Sequence, residues 1–253
     1  MELQGKVVVI TGGGRGLGRA MAQAFAAAGA EIAVLDLSTV DLAETCAQCA
    51  TFGVRAKPYL TDVADEARVI ASLDAVVAEF GRLDVLINNA GITRDALLVK
   101  AQDQEILAKM TLAQWSSVLH VNLTGVFLCA REAAERMIRL GSGGLIINIS
   151  SISREGNAGQ TNYSAAKAGV AAMTVVWAKE LARHGIRSVA IAPGFCATDI
   201  LASMKPEIVA RVTQAVPLQR LGDPAEIAST AVYIARNEFV NGRVIEVDGG
   251  LRI

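Results

Sequence analysis

The stretch KVVVITGGGRGLG, residues 6–18, decides the fold. Its first half is a β-branched apolar run, as expected of a buried strand, and its second half is rich in glycine. Residues 16–28 have the periodicity of a helix, which Gly29 closes. A glycine turn between a strand and a helix is the context in which backbone N–H groups cradle a phosphate. The stretch therefore predicts a dinucleotide-binding βα unit at the start of the chain.

Short apolar strands and amphipathic helices alternate along the rest of the chain. Further strands are predicted at 31–37, 55–63, 83–91, 144–151, 186–194 and 242–250, and further helices at 39–51, 67–81, 111–140, 161–183 and 224–236. Such alternation is typical of a parallel sheet covered on both faces. No linker or internal repeat divides residues 1–253. We therefore expect one α/β domain, a doubly wound parallel sheet of the Rossmann type with helices on both faces.

Two long connections stand out in this pattern. Residues 92–110 follow the fourth strand, and residues 194–217 follow the sixth. Both leave the carboxyl ends of strands, where open α/β sheets bind ligands, so we expect both to be substrate-side loops. The expected lining residues of the pocket are Gly156, Asn157, Gln160, Phe195 and Met204.

Charge, hydropathy and cysteine content exclude several classes of function. The 253 residues carry a formal net charge of -1, which offers no basic surface to nucleic acid or to an anionic membrane. No apolar run approaches the roughly 20 residues of a membrane span, and no signal-peptide pattern opens the sequence, so we expect a cytoplasmic protein. Cys46 and Cys49 form a CxxC but lack the further ligands that zinc needs, and no metal is predicted.

The strand ends supply the predicted cofactor-binding residues. Gly12 permits a tight turn, Gly16 lets the backbone approach a pyrophosphate, and Gly18 lets helix and strand pack closely. The full predicted set is Gly12, Gly14, Arg15, Gly16, Leu17, Gly18, Asp36, Leu37, Asp62, Val63, Asn89, Ala90, Gly91, Tyr163, Lys167, Pro193, Gly194 and Cys196. Asn88, beside Asn89, is expected only to satisfy local backbone groups.

Asp36 and Arg15 favour different nicotinamide cofactors. A carboxylate at the end of the second strand can accept both ribose hydroxyls of NAD and repels the additional phosphate of NADP. A guanidinium beside the glycine turn can instead hold that phosphate. Because a like-charge clash costs more than one flexible arginine on an exposed turn returns, we expect NAD(H), with NADP(H) as the alternative.

The segment NYSAAKAG, residues 162–169, places Tyr163 and Lys167 one helical turn apart. A tyrosine has a pKa of about 10 and must be made more acidic to pass a proton at neutral pH, and a nearby ammonium group does this. A serine at the adjacent strand end can hold a substrate carbonyl. With hydride from a nicotinamide cofactor, this set of groups would reduce a ketone. Tyr-x-x-x-Lys alone, however, occurs by chance in many helices.

Seven motifs together resemble the short-chain dehydrogenase/reductase family over essentially the whole chain. In the family's order they are TGGGRGLG (11–18), Asp62, NNAG (88–91), HVNLTGVF (120–127), NISS (148–151), YSAAK (163–167) and IAPG (191–194). NNAGITRDALL, GQTNYSAAKAG, RLGDPAEIA and VDGG look most like the branch of 3-oxoacyl-acyl-carrier-protein reductases.

The resemblance implies a role for each catalytic residue. Tyr163 would donate the proton, Lys167 would bind the cofactor ribose and lower the pKa of the tyrosine, and Asn122 would hold the water of a proton relay. The serine is Ser150 by its spacing from Tyr163 and Ser151 by strand register, with Ser153 a further candidate. Because a one-residue slip turns every side chain of a strand over, whereas a loop can lose a residue cheaply, we choose Ser151.

The resemblance also implies a substrate class and an assembly. The substrate would be a small-molecule ketone or an acyl thioester, acyl carrier protein is a candidate partner, and the chain would form a homotetramer. Two features depart from the family. Segment 96–110 is longer than usual, and LGSGG (140–144) and RHG (183–185) replace the basic residues expected before the fifth and sixth strands. A free or coenzyme-A-linked ketone is therefore an alternative to a carrier-bound one.

Three functions follow from these patterns. The first is a nicotinamide-dependent reductase of 3-oxoacyl thioesters or similar β-keto compounds. The second is an NAD-dependent secondary-alcohol dehydrogenase, which Asp36 supports. The third is a non-catalytic nucleotide-binding scaffold, which is disfavoured because Asn122, Ser151, Tyr163 and Lys167 are all present.

Overall fold

The computed structural model describes residues 1–198 and 206–252. Its strands are β1 Val7–Thr11, β2 Glu31–Asp36, β3 Ala56–Leu60, β4 Val85–Asn88, β5 Val99–Gln102, β6 Glu105–Lys109, β7 Gly144–Ile149, β8 Ile186–Pro193 and β9 Val244–Val247. Seven of them form one parallel sheet in the order β3-β2-β1-β4-β7-β8-β9, while β5 and β6 form a separate antiparallel hairpin. The predicted fold class is confirmed.

Helices cover both faces of the sheet. They are α1 Gly16–Ala27, α2 Thr39–Ala50, α3 Glu66–Phe80, α4 Leu112–Leu119, α5 Gly125–Leu140, α6 Thr161–Glu180, α7 Pro206–Ala215 and α8 Pro224–Arg236. The predicted helix over 111–140 is divided, because a π-helical turn, His120–Thr124, joins α4 to α5. The chain runs outward from β1 to β3 and then returns to β4, so the strand order reverses beside β1, where folds of this kind bind nucleotides.

Alternate residues of β1 supply the two halves of the core. Val8 and Ile10 pack with Phe25 of α1 in one cluster, and Val7 and Val9 belong to a second cluster on the opposite face. Side chains of a strand alternate between the two faces of a sheet, so a strand buried on both sides must be apolar at every position. All five residues of β1 are buried, which explains the unbroken VVVIT run.

Asp84 anchors the amino-terminal edge of the sheet. Its carboxylate is 2% exposed and accepts hydrogen bonds from the Val7 backbone N–H at 2.9 Å, from Lys6 Nζ at 3.2 Å and from Arg82 Nε at 2.6 Å. Burial tends to raise the pKa of Asp84, but these hydrogen bonds outweigh it and hold the pKa below its ordinary value.

Both long connections contain secondary structure that the sequence did not predict. Residues 92–110 include the β5–β6 hairpin, whose turn places Asp103 and Gln104 at φ of 49° and 67°. Positive φ at both turn residues suits a tight hairpin, but the Asn-Gly or Asp-Gly signal that normally indicates it is missing. The second connection contains α7, which begins at Pro206, a favoured residue for a first helical position. Met204 lies outside the described residues.

The cysteines are buried within the fold. Cys46 and Cys49 belong to the core cluster beside α1, and burial raises the pKa of their thiols to about 11 and about 12. Over residues 1–198 and 206–252, no group of three or more His, Cys, Asp or Glu side chains is arranged to hold a metal ion. No helix within these two ranges is long and apolar enough to cross a membrane.

Replacing Asp84 with alanine should lower the free energy of unfolding by about 2 kcal/mol at pH 7, because hydrogen bonds from two cations and a backbone N–H are lost. The pKa of Asp84 is lowered in the folded chain, so its contribution is present above the ordinary carboxyl pKa and is lost as the pH falls through the folded value. Urea unfolding at pH 7 and pH 3 measures both effects.

The matched control is Glu135→Ala, which breaks an exposed ion pair with Arg139 and should change stability by no more than about 0.5 kcal/mol. The anchoring role would be contradicted if Asp84→Ala lowered the free energy of unfolding at pH 7 as little as the control does. It would also be contradicted if the decrease at pH 3 were as large as the decrease at pH 7.

Candidate active site

One edge of the sheet collects the residues that the sequence predicted separately. The glycine turn follows β1, Asp36 and Leu37 lie at the end of β2, and Asp62 and Val63 follow β3. Asn89, Ala90 and Gly91 follow β4, Ser151 follows β7, and Pro193, Gly194 and Cys196 lie at the end of β8. The catalytic helix is α6, which carries Tyr163 and Lys167. The parallel sheet therefore brings residues from positions 12 to 196 together at one site.

The glycine turn packs so closely that side chains are excluded. A Cβ on Gly18 would lie 2.1 Å from the Gly12 carbonyl oxygen, and one on Gly12 would lie 2.7 Å from Ala90 Cα. The first turn of α1 contains no acidic residue, and Arg15 at its N-cap makes no side-chain capping bond. The N–H groups of this helix start are thus free to bind an anion. A glycine cradle with free N–H donors fits the pyrophosphate of a nicotinamide dinucleotide.

Asp36 lies directly against the glycine turn. Its Oδ2 accepts a hydrogen bond from the Gly14 N–H at 2.9 Å. Arg15, within the turn, is exposed. A second cation, Arg19, was not among the predicted residues; it donates to Glu44 at 2.7 Å and to the Gly14 carbonyl. Spacing offered a signal for Arg19, since it follows Arg15 by one helical turn. The charge of Arg19 is thus paired with a carboxylate, whereas Asp36 bonds the turn directly.

The end of β4 is tied to the end of β1 by side chains. Thr11 Oγ1 accepts hydrogen bonds from the backbone N–H groups of Asn89 at 3.0 Å and Ala90 at 3.1 Å. Asn89 Nδ2 in turn donates to the Gly12 carbonyl at 2.8 Å. Asn89 therefore supports the glycine turn from behind. Thr11 could not be singled out from its sequence context, because its partners come from a different strand.

The expectation that Asn88 satisfies only local backbone groups is wrong. Its Nδ2 donates to Asn148 Oδ1 on the neighbouring strand at 2.9 Å, and Asn148 Nδ2 donates to Thr174 Oγ1 of α6 at 2.9 Å. Asn88 and Asn148 are directly paired in the sheet register. The physical reason is burial, since a side-chain amide in the interior needs a partner and the adjacent strand supplies one.

Three of the predicted cofactor-binding residues point their side chains into the protein. Leu17 packs on the core beneath α1, and Val63 is buried against Gly125 of α5. Cys196 is buried, and burial raises the pKa of its thiol to about 11. At Val63 and Cys196 the side chain is buried and leaves the backbone to contact a ligand, whereas Leu17 is only partly buried. Asp62 Oδ1 accepts from the Ala64 N–H at 2.9 Å, which fixes the turn after β3.

Lys167 and Ser150 join α6 to the end of β7 by two reciprocal hydrogen bonds. Lys167 Nζ donates to the Ile149 carbonyl at 2.7 Å, and Ser150 Oγ donates to the Lys167 carbonyl at 2.9 Å. Lys167 is 3% exposed, and burial lowers its pKa to about 8. The hydroxyl of Ser150 is committed to this joint and is itself buried.

Ser151 faces the phenol of Tyr163. The Ser151 hydroxyl is close enough to lower the pKa of the phenol, and Ser151 Oγ accepts a hydrogen bond from the Ser153 N–H at 3.1 Å. Burial raises the pKa of Tyr163, the Ser151 hydroxyl lowers it, and the charge of Asp95 raises it, with a net increase. The expected lowering by Lys167 is not found. The ammonium lies 5.5 Å from the ring centroid and is bonded to the Ile149 carbonyl, so burial of the phenol dominates.

Asn122 is fully buried and holds the segment that follows β4. Its Oδ1 accepts from the Ile92 N–H at 2.8 Å, and its Nδ2 donates to the Ile92 carbonyl at 2.9 Å. Its side chain is thus occupied. The residue lies in the π-helical turn His120–Thr124, a geometry that interrupts the regular ladder of helix hydrogen bonds. A water held at Asn122 would therefore bind its backbone.

Comparisons with known proteins agree with this geometry. A family model described as short chain dehydrogenase matches residues 6–208. The 3-oxoacyl-[acyl-carrier-protein] reductase FabG of Thermotoga maritima is 40% identical, with 100% of both chains covered. The short-chain reductase protein NovJ of Streptomyces niveus is 41% identical over 98% of this chain and 94% of its own. A crystal structure of a candidate gluconate dehydrogenase from Agrobacterium tumefaciens superposes with a TM-score of 0.90 at 36% identity, covering 99% of this chain and 97% of the other.

Replacing Lys167 with methionine should raise the free energy of unfolding by about 1–3 kcal/mol at pH 7, because the buried ammonium is disfavoured in the folded chain. The pKa of Lys167 falls from its ordinary value to about 8 on folding, so the wild type regains stability as the pH rises above 8. The advantage of the variant should therefore shrink toward pH 10. Urea unfolding from pH 7 to pH 10 measures this trend.

Lys179→Met is the matched control, because Lys179 is an exposed lysine in the last turn of the same helix. Its effect should be small and independent of pH. If Lys167→Met is instead destabilising at pH 7 and its effect does not change with pH, the lysine is not held at an energetic cost.

Proposed function

Because the chain belongs to the short chain dehydrogenase family and is an NAD(P)-dependent oxidoreductase, we propose that it reduces the ketone of a 3-oxoacyl thioester or a similar β-keto compound to a secondary alcohol. The observation that carries this proposal is the grouping of Tyr163 and Lys167 on α6 against the end of β7, where Lys167 Nζ bonds the Ile149 carbonyl and lies 5.5 Å from the ring centroid of Tyr163, beside Ser151. Relatives matched over nearly their whole length act on 3-oxoacyl groups by name, which supports the substrate class.

Tyr163 is the proposed proton donor. A bound nicotinamide supplies the hydride, so the protein has to orient the ketone and provide one proton. The Ser151 hydroxyl donates a hydrogen bond to the ketone oxygen, and the phenol gives its proton to the same oxygen as the alkoxide forms. Burial raises the pKa of Tyr163, so the acid stays protonated at neutral pH. By the family resemblance, the Lys167 ammonium, which lies 5.5 Å from the ring centroid, would stabilise the phenolate that remains if it moved closer once its bond to the Ile149 carbonyl is released.

Asn122 and Lys167 complete the proposed machinery. Lys167 would reach the cofactor ribose once it exchanges the Ile149 carbonyl for a ribose hydroxyl. A water at the π-helical turn of Asn122 would return a proton toward Lys167 and Tyr163. The family resemblance is the source of both roles, and the buried, hydrogen-bonded position of each residue supports them.

The proposed cofactor is NAD(H). The residues that would hold it are the glycine turn, Asp36 and the N–H groups at the start of α1. The Asp36 carboxylate lies against Gly14, where it would accept ribose hydroxyls and repel a phosphate. Arg19 is paired with Glu44, so it offers no free charge to that phosphate. Arg15 alone supports NADP(H), which stays the alternative.

A second candidate function is NAD-dependent oxidation of a secondary alcohol. The position of Asp36 favours it, because a preference for NAD suits oxidation when the cellular pool is oxidised. The same residues would act in reverse, with the phenolate of Tyr163 as the base. The structural relative from Agrobacterium tumefaciens is named a dehydrogenase, which is consistent with either direction in this family.

The carrier of the acyl group, the assembly and the compartment are further proposals. Acyl carrier protein and coenzyme A are the two candidate carriers. Relatives named for acyl carrier protein support the first. The absence of the expected basic residues at 140–144 and 183–185 favours the second. A homotetramer through α4, α5 and α6 is supported by exposed Phe127 and Val176 on those helices. Four free cysteines fit the reducing cytoplasm.

Turnover of acetoacetyl-coenzyme A with NADH and with NADPH tests the proposed reaction. We expect loss of reduced cofactor and formation of 3-hydroxybutyryl-coenzyme A, faster with NADH. Preference for NADPH would keep the reaction and overturn the cofactor. If neither cofactor is consumed although both bind, and a panel of secondary alcohols is oxidised with NAD, the second candidate function is correct.

Tyr163→Phe should lower kcat by at least about 100-fold, because no other group at the site supplies the proton. Ser151→Ala should also lower kcat strongly, whereas Ser150→Ala should leave kcat within about 5-fold, since Ser150 bonds a backbone carbonyl. Steady-state kinetics of the three variants measure this order. Near-normal turnover of Tyr163→Phe would remove the proton-donor role, and the reverse order of the two serines would move the substrate contact to Ser150.

Asp36→Ala should raise kcat/KM for NADPH relative to NADH by about 10- to 100-fold, because a like-charge repulsion is removed. Asp41→Asn, a change to a neighbouring carboxylate on α2, is the matched control and should leave the ratio unchanged. The ratio is measured with one ketone substrate at fixed ionic strength. An unchanged ratio in Asp36→Ala would assign the choice of cofactor to Arg15.

A further inference from the structure

Residues 94–96 run beside residues 159–162, the turn that leads into α6. The Ala96 N–H donates to the Gly159 carbonyl at 2.8 Å, and Gln160 Nε2 donates to Asp95 Oδ2 at 2.9 Å. Asn162 Nδ2 donates to the Arg94 carbonyl at 3.1 Å. Three successive residues at the base of the β5–β6 hairpin are thus each bonded to the start of the catalytic helix.

Of the residues that form this contact, Asn162 alone is fully buried. Besides the Arg94 carbonyl, its Nδ2 reaches the Gln114 carbonyl of α4 at 3.0 Å. Its Oδ1 accepts from the Tyr163 N–H at 2.8 Å. One side chain therefore joins the segment after β4, the helix α4 and the helix α6 at the residue before the phenol.

The start of α6 has no other side-chain cap. Gln160 occupies the N-cap position without a capping bond, and the first turn contains no acidic residue. The first N–H groups of a helix lack partners within the helix and fray unless something binds them. Asn162 binds the N–H of Tyr163 itself, so the backbone that carries the phenol depends on this amide.

Segment 92–96 is held from its other end by Asn122, which bonds both polar groups of Ile92. The segment is also within electrostatic reach of the phenol, because the charge of Asp95 raises the pKa of Tyr163. Two buried asparagines, Asn122 and Asn162, thus fix this segment, one at each end.

We propose that Asn162 is a positioning residue, which fixes the Tyr163 phenol relative to Ser151 and to segment 92–96. This inference rests on the proposed function, since it assigns Asn162 a role in proton transfer by Tyr163. Misplacement of a reacting group by about 1 Å can lower a rate by about 100-fold without weakening binding. The amide acts through its three hydrogen bonds and does not contact the substrate.

The test variant is Asn162→Asp, which keeps an acceptor for the Tyr163 N–H and loses both donors. Its carboxylate would face the carbonyls of Arg94 and Gln114. We expect kcat for acetoacetyl-coenzyme A to fall by about 10- to 100-fold, while KM and the Kd for NADH change by less than about 3-fold. Amide hydrogen exchange should accelerate together in residues 92–96 and 160–164.

Asn148→Asp is the matched control, because Asn148 is equally buried and also bonds a residue of α6, Thr174. Its bond lies three turns beyond the phenol. This control is expected to lower Tm without a comparable loss of kcat and without faster exchange in residues 92–96. If Asn162→Asp does not fold, Gln160→Ala removes the exposed bond to Asp95 and should lower kcat by about 3- to 10-fold with the same pattern of exchange.

The inference is overturned if the folded variant keeps kcat within about 2-fold of the wild type, or if KM and the Kd for NADH rise in parallel with the loss of kcat. It is also overturned if exchange in residues 92–96 does not change. A wild type that reduces no ketone and oxidises no alcohol would end the proposed function instead, and hydrogen exchange would still decide whether Asn162 holds the phenol to segment 92–96.

Discussion

The buried ammonium of Lys167 is the constraint on which the site depends. It is bonded to the Ile149 carbonyl at 2.7 Å, and Ser150 returns a hydrogen bond to the Lys167 carbonyl. Burial lowers the pKa of the lysine to about 8, so the fold holds this charge against its preference for water. The two hydrogen bonds made by Lys167 and Ser150 hold α6 against the end of β7. With Ser150 committed to that joint, Ser151 is the hydroxyl we propose for the substrate contact, since it lies close enough to lower the pKa of the Tyr163 phenol.

Close packing of the glycine turn shapes the cofactor-binding part of the same edge of the sheet. Gly12 and Gly18 leave no space for a side chain, so backbone N–H groups at the start of α1 form the floor of the site. The Asp36 carboxylate lies against Gly14 at one side of this floor, where we propose that its charge favours a ribose hydroxyl over a phosphate. The glycine turn after β1 and the catalytic residues after β7 are connected through β4, which pairs with both strands. A shift of one strand would therefore move both parts of the site.

The doubly wound parallel sheet and the glycine turn could be predicted from the sequence, because each depends on a local pattern of apolar and glycine residues. The β5–β6 hairpin could not, since its turn residues Asp103 and Gln104 do not announce positive φ. The partners of Asn88 and Asn162 were also out of reach, because they come from distant strands and helices. The pKa of Tyr163 was expected to be lowered and is raised, since sequence reveals a neighbouring charge but not the depth of burial.

We propose that Tyr163 and Ser151 hold the oxygen of a β-keto thioester so that its ketone carbon accepts hydride. A single turnover of acetoacetyl-coenzyme A with NADH deuterated at the transferred position, followed by mass spectrometry of the product, tests this. We expect one deuterium at carbon 3 of 3-hydroxybutyryl-coenzyme A with the wild type, and a greatly slowed transfer with Tyr163→Phe. Cofactor binding without deuterium in the product, or undiminished transfer in the variant, would contradict it.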